Sequence, residues 1–145
     1  MSAIPFTDRE LTRAWRDLSS IVNAANGIGR TNPQRLLLFY AVECGLKAVW
    51  LKRRSRTLFD KAEIDEIGHD LRGLMTKLNI GNVLSLPSQL SIEPVQGKPN
   101  PVQRNGSIEI LHQVWRYGGK CVTPTDNDCE TKLMSVLRWI DGELK

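Results

Sequence analysis

Apolar residues recur at helical spacing in five stretches of the chain, and each stretch is bounded by residues that start or stop helices. Leu11, Trp15, Leu18, Val22 and Ala25 share one face of a helix predicted over about residues 8–26, with Arg13, Arg16 and Asp17 on the other side. Thr7 can cap its first amides, and Glu10, three residues on, can reach back to the cap. Asn26-Gly27-Ile28-Gly29 stops it. Asn32-Pro33 opens the second helix, because Asn caps well and a proline at the first helical position gives up an amide that has no partner there. From Leu36 to Leu51 its only charged residues are Glu43 and Lys47, so nearly every face is apolar and the helix belongs in the middle of a bundle. Glu43 and Lys47 stand four apart in the favourable order, which predicts an ion pair along the helix.

A third helix is capped by Asp60, with Glu63 three residues later and Ile64, Ile67, Leu71, Leu74, Met75 and Leu78 as its stripe. Gly68 and Gly73 weaken it. Residues 79–106 then change character: Gly81, Pro87, Pro94, Gly97, Pro99, Pro101 and Gly106 forbid a long helix and read as one long irregular loop. Within it, Val83 to Leu86 and the pair Leu90 and Ile92 either pack onto the bundle or form a short strand pair. Helical spacing resumes through Ile108, Leu111, Val114 and Trp115 and ends at Gly118-Gly119. Thr125 and the acids after it open a last helix carrying Leu133, Val136, Leu137 and Ile140. The expectation is an all-α, up-and-down bundle of four to five helices with a long loop at about 79–106.

A chain of 145 residues, 41% hydrophobic and 25% charged, has the proportions of one ordinary domain, here spanning residues 1–145. At this length roughly two thirds of the unfolded surface is buried, so neither disulfides nor structural metal are needed. The longest apolar run, Leu36 to Val42, is far shorter than the roughly 20 residues a membrane span takes. The first residues show no basic start followed by an apolar stretch, so the expected location is cytoplasmic. Cys44, Cys121 and Cys129 are few and widely spaced, which fits reduced thiols, and with two histidines neither a metal nor another cofactor is expected.

Charge is uneven. Between Arg30 and Arg56 lie seven basic residues against Glu43 alone, whereas Asp60 to Asp70 holds five acids against Lys61. The basic turn Lys52, Arg53, Arg54 and Arg56 is the candidate nucleic-acid contact. It also suits the negative end of the second helix's dipole, and the acidic segment beside it can neutralise it within the fold.

Chemistry-bearing patterns are sparse. Gly27-Ile28-Gly29 has neither a preceding strand nor a following Gly-Lys-Ser/Thr, so it is no phosphate loop, and there is no nucleophile-elbow serine. His112 and Arg116 lie four apart on one helix with Tyr117 beside them. A histidine for proton transfer and an arginine for phosphate charge are the minimum for metal-independent RNA cleavage. His69 fits a structural hydrogen bond, to Asp70 or to a neighbouring helix.

Three segments together, Leu36 to Trp50 with its Tyr-Ala-Val-Glu-Cys-Gly-Leu-Lys-Ala, Gly68 to Leu74 with its His-Asp-Leu-Arg-Gly-Leu, and Trp115-Arg116-Tyr117-Gly118-Gly119, resemble the HEPN superfamily. The resemblance implies a small helical bundle, commonly dimeric, from bacterial toxin–antitoxin and antiviral defence systems. Many such proteins cleave RNA with an Arg followed by His after four to six residues. This chain departs from that pattern: Arg104 precedes His112 by seven intervening residues, Arg56 is too far from His69, and His112 comes before Arg116. The resemblance therefore implies the non-catalytic branch, a module that forms a homodimer or binds a larger partner such as a nucleotidyltransferase or effector. Trp15, Trp50, Trp115 and Trp139 are candidate anchors on an apolar helix face, with Glu43, Lys47 and His69 as structural or partner-facing residues. Two alternatives stand beside it: an endoribonuclease using His112, Arg116 and Tyr117, and RNA or nucleotide binding without cleavage through Lys52, Arg53, Arg54 and Arg56.

Overall fold

The apolar stretch becomes the axis of the molecule. In the computed structural model, which describes residues 4–25, 29–67, 70–81, 84–97 and 99–145, helix α2 (Asn32–Arg53) is lined with buried residues from Leu38 to Leu51. Helix α1 (Asp8–Ala24) packs along it, and α6 (Asp126–Leu144) and the short α5 (Leu111–Arg116) close further sides. Gly45 allows the closest approach: a Cβ there would stand 2.7 Å from Ile140 Cγ2 and 2.8 Å from Trp15 Cδ1. Absence of a side chain lets three helices meet at one point.

The local helix signals act as expected at Thr7 and Thr125, which close capping boxes with Glu10 and Asp128. At α2 the cap is Thr31 rather than Asn32, with Gln34 completing the box and Pro33 in the first turn. Asn32 is thereby released, and its side-chain amide donates to the Gly119 carbonyl at 3.0 Å. The third predicted helix is two: α3 (Lys61–Ile67) and α4 (Leu71–Lys77), the second capped by Asp70. Gly68 and His69, in the break, lie outside the described residues, as do Gly27 and Ile28.

The all-α expectation needs correction. About 61% of the structure is helical, with six α-helices among the described residues, but five short strands form two antiparallel sheets. Strand β1 (Phe6–Thr7) pairs with β2 (Leu58–Phe59) and ties the start of α1 to the chain leaving α2. The long loop contains a hairpin, β3 (Leu90–Val95) with β4 (Val102–Gly106), and β5 (Cys121–Thr123) adds to the other side of β3. The order is β4-β3-β5. Register shifts between Ile92 and Val95, where Pro94 has no amide to give the ladder. Leu90 is buried and Ile92 nearly so, which seats the sheet on the helices. Leu90 and Ile92 do form strand, opposite Gly106 and Arg104; of the Val83 to Leu86 run, Val83 lies outside the described residues and Leu84, Ser85 and Leu86 belong to no strand. A 3-10 turn (Ile108–Ile110) then leads into α5.

Trp15, Trp50 and Trp115 are at most 6% exposed and belong to the core, so they are not surface anchors. Trp139 is half-buried with the Arg53 guanidinium over its ring at 5.4 Å. Five exposed large apolar residues lie on the sheets, Phe6 and Leu58 on the first and Val95, Val102 and Val122 on the second, while Ile4, Ile21 and Tyr117 are exposed elsewhere. No described helix is long and apolar enough to cross a membrane.

Candidate functional site

Helix α5 separates the residues that its sequence groups together. Successive helical positions turn by about 100°, so His112 and Arg116 occupy one face and Gln113 and Tyr117 the next. The first pair looks at α2. The half-buried His112 ring lies against Phe39, centroids 6.0 Å apart, and its Nδ1 donates to the Glu109 carbonyl. The Arg116 guanidinium donates to the Tyr40 hydroxyl at 2.5 Å, a contact that holds its pKa above the ordinary arginine value. Both side chains have partners that pin α5 to α2.

The second pair looks away, into a cleft of about 290 Å3 between α5 and the β4-β3-β5 sheet. Gln113, Val114 and Tyr117 form its helical wall, and Ile92, Arg104 and Asn105 its sheet wall, with Ile110 and Gly119 at the ends. Tyr117 is 76% exposed and leans under the Arg116 cation, 6.0 Å from its ring centroid. The following Gly118 has φ +76°, a left-handed conformation that turns the chain back toward β5. Arg104 is the charged residue of the lining; its Nε donates to the Glu93 carbonyl at 3.0 Å. Thus of the three residues put forward for RNA cleavage, Tyr117 alone lines the cleft.

The basic turn is internally matched. Lys52 Nζ donates to the Glu143 carbonyl at 2.6 Å, and Arg53 contacts the Glu143 carboxylate and the Leu78 carbonyl. Arg54 meets Glu66 at 2.5 Å and stacks on Trp50 at 4.7 Å. Arg56 meets Glu63 at 2.5 Å and Glu66 at 3.6 Å, which raises the arginine pKa further. Glu63 is 2% exposed, and its other oxygen accepts from Trp50 Nε1 at 2.7 Å. Earlier in the basic stretch, Arg30 and Arg35 converge on Glu130 at 2.9 and 3.0 Å. The acidic segment therefore neutralises Arg54 and Arg56 through Glu63 and Glu66, and α6 meets Arg30, Arg35 and Arg53 through Glu130 and Glu143.

Glu43 and Lys47 form no ion pair among the described residues; Lys47 Nζ instead sits over the Phe59 ring at 5.1 Å. Both line a small cavity of about 70 Å3 with Asp70 and Leu71. Beside it, the Glu109 carboxylate accepts from the Leu71 amide at 2.6 Å. Burial, and then the nearby Asp70 and Glu43 charges, push the Glu109 pKa up despite that bond. His69, expected near here, lies outside the described residues.

Sequence reasoning missed Arg104, Asn105 and Gln113 as cleft residues. Gln113 and Tyr117 are four apart, a signal present in the sequence, but nothing in it shows that a sheet faces them. Compared with known protein families, curated proteins and solved structures, the chain shows no match.

Proposed function

We propose that the chain is a non-catalytic HEPN-like interaction module, which works by associating with itself or with a larger partner, of nucleotidyltransferase or defence-effector type. The observation that supports it best is the division of α5. His112 and Arg116 are engaged with Glu109, Phe39 and Tyr40, and the cleft beside them is lined by neither. To act as an endoribonuclease, the half-buried His112 must leave its place against Phe39, and the exposed Arg116, which gives one N–H to Tyr40, must act beside it from the face turned to α2, outside the cleft. Phosphate binding by Lys52, Arg53, Arg54 and Arg56 must likewise displace Glu143, Glu66 and Glu63, at the cost of the contacts that close that end of the bundle. Exposed apolar side chains on the two sheets supply the surface a partner needs.

Purified chain incubated in chelator with structured and single-stranded RNA is expected to leave both intact, and His112→Ala to behave as wild type. Cleavage that disappears in His112→Ala overturns the reading. Light scattering at concentrations on the order of tens of micromolar separates the two modes: a dimer supports self-association, and a monomer leaves the larger partner.

A further inference from the structure

The geometry points to the outer edge of β4 as a docking site for an extended segment of a partner protein that carries one acid between two apolar residues, an inference that rests on the module reading above. Strand β4 is the end of its sheet, residues 102–105 are exposed, and nothing among the described residues pairs with its outer edge. An open edge carries unpaired amides and carbonyls in a row, which an added strand satisfies. Here the edge adjoins a cleft, so side chains as well as backbone can be read.

Alternation along the strand fixes the reading. Arg104 pairs with Ile92, and both line the cleft; Gly106 pairs with Leu90, and a Cβ at Gly106 would stand 2.8 Å from the Ile110 side chain. Positions 102, 104 and 106 therefore share the face toward α5. In an antiparallel addition, the residue opposite each of them points to that face too. Opposite Arg104 an acid is favoured, because the guanidinium keeps donors beyond those given to the Glu93 carbonyl and is the charged group of the lining. Opposite Gly106 the space lies against Ile110, and opposite Val102 against an apolar side chain that is 57% exposed, so both favour apolar residues. The ligand reads apolar, any, acidic, any, apolar. A second copy of the chain is the disfavoured occupant, since β4 laid against β4 sets Arg104 opposite or diagonal to its own counterpart.

The test uses fluorescein-labelled Gly-Val-Thr-Glu-Thr-Leu-Gly and the same peptide with Lys in place of Glu, titrated against the full chain by polarisation. The acidic peptide is expected to bind about tenfold more tightly than the lysine one, and Arg104→Glu to reverse that preference. The reversal is a gain for one peptide, so an unfolded variant cannot imitate it. Equal affinities, or no binding of either up to about 1 mM, overturn the proposal. So does a ten-nucleotide single-stranded RNA that binds more tightly than the acidic peptide and loses affinity in Arg104→Glu, which makes nucleic acid the occupant. RNA cleavage sinks the module reading itself; a chain inert on RNA that ignores both peptides sinks only the β4 assignment.

Discussion

Glu63 decides between a basic turn that holds the fold and one that holds RNA. Its carboxylate is buried and serves two elements at once, accepting from Trp50 Nε1 at 2.7 Å and from Arg56 at 2.5 Å. Glu63→Ala leaves the indole N–H of a 5% exposed tryptophan without an acceptor. An orphaned buried donor costs about 1–3 kcal/mol. A central value of about 2 kcal/mol lowers Tm by roughly 6–8 °C for a chain of this length. Glu63→Gln keeps an oxygen for the indole and gives up only the charge facing the half-exposed Arg56 side chain, so it should lose less than half as much. Thermal and urea melts followed by circular dichroism measure both. The second arm is RNA retention. Replacing Glu63 and Glu66 by Ala frees Arg54 and Arg56, and the double variant should hold single-stranded RNA more tightly than wild type. Two released cations steepen the slope of log K against log salt by about 1.4. The reasoning fails if Glu63→Ala melts with wild type, or if wild type already binds RNA with the steep salt dependence of the double variant.

Three further outcomes follow from packing and charge. Gly45→Ala gains about 1 kcal/mol of helix propensity but forces a methyl against Ile140 and the Trp15 ring, an overpacking cost of about 1–3 kcal/mol, so denaturant melts should show a net loss. The loss should shrink in an Ile140→Ala background, which removes two of the three close approaches. Ser19→Ala should leave stability unchanged or raise it by up to about 1 kcal/mol in urea melts, because Ser19 is 8% exposed and its buried hydroxyl finds no hydrogen-bond partner among the described residues. Glu109 has its pKa raised by burial and by Asp70 and Glu43, so the folded chain binds that proton more tightly than the unfolded one. Its contribution is present below the ordinary carboxylate range and is lost as pH rises through the raised value; Glu109→Gln, which still accepts from Leu71, should stabilise more at pH 7 than at pH 4.

Local signals carried through to structure and non-local ones did not. Thr7 with Glu10 and Thr125 with Asp128 are readable because a capping box lies within four residues of itself. Thr31 and Asn32 are both good caps, and Pro33 is compatible with either, so the one-residue ambiguity was settled by the Gly119 carbonyl that claims Asn32. The strands were hidden for a different reason. β3 is interrupted at Pro94, β5 is three residues long, and their pairing joins segments that no periodicity connects. At the site, helical spacing correctly put His112 with Arg116, but spacing tells which residues share a face and not what the face looks at. Glu43 and Lys47 show the same limit: i,i+4 spacing permits a pair, and the Phe59 ring brought by β2 draws the ammonium elsewhere.

Where the charges end up also says where function should be sought. The turn after α2 is closed by Glu63 and Glu66 from α3, which follows it directly in the chain, and by Glu143 from the end of α6, which reaches it only when the bundle is complete. Arg30 and Arg35 are closed by Glu130 in the same way. Each of these contacts fastens one helix or loop to another, so the basic excess of the first half of the chain works as a set of clasps. Arg104 differs: it stands on an edge strand, donates among the described residues to the Glu93 backbone carbonyl, and faces a cleft with an exposed tyrosine on its far wall. A cation with donors to spare, an open strand edge and a cleft coincide there, away from the clasps described above; under the proposal that this edge takes a partner strand, Arg104→Glu is expected to alter peptide binding while thermal melts stay at the wild-type value.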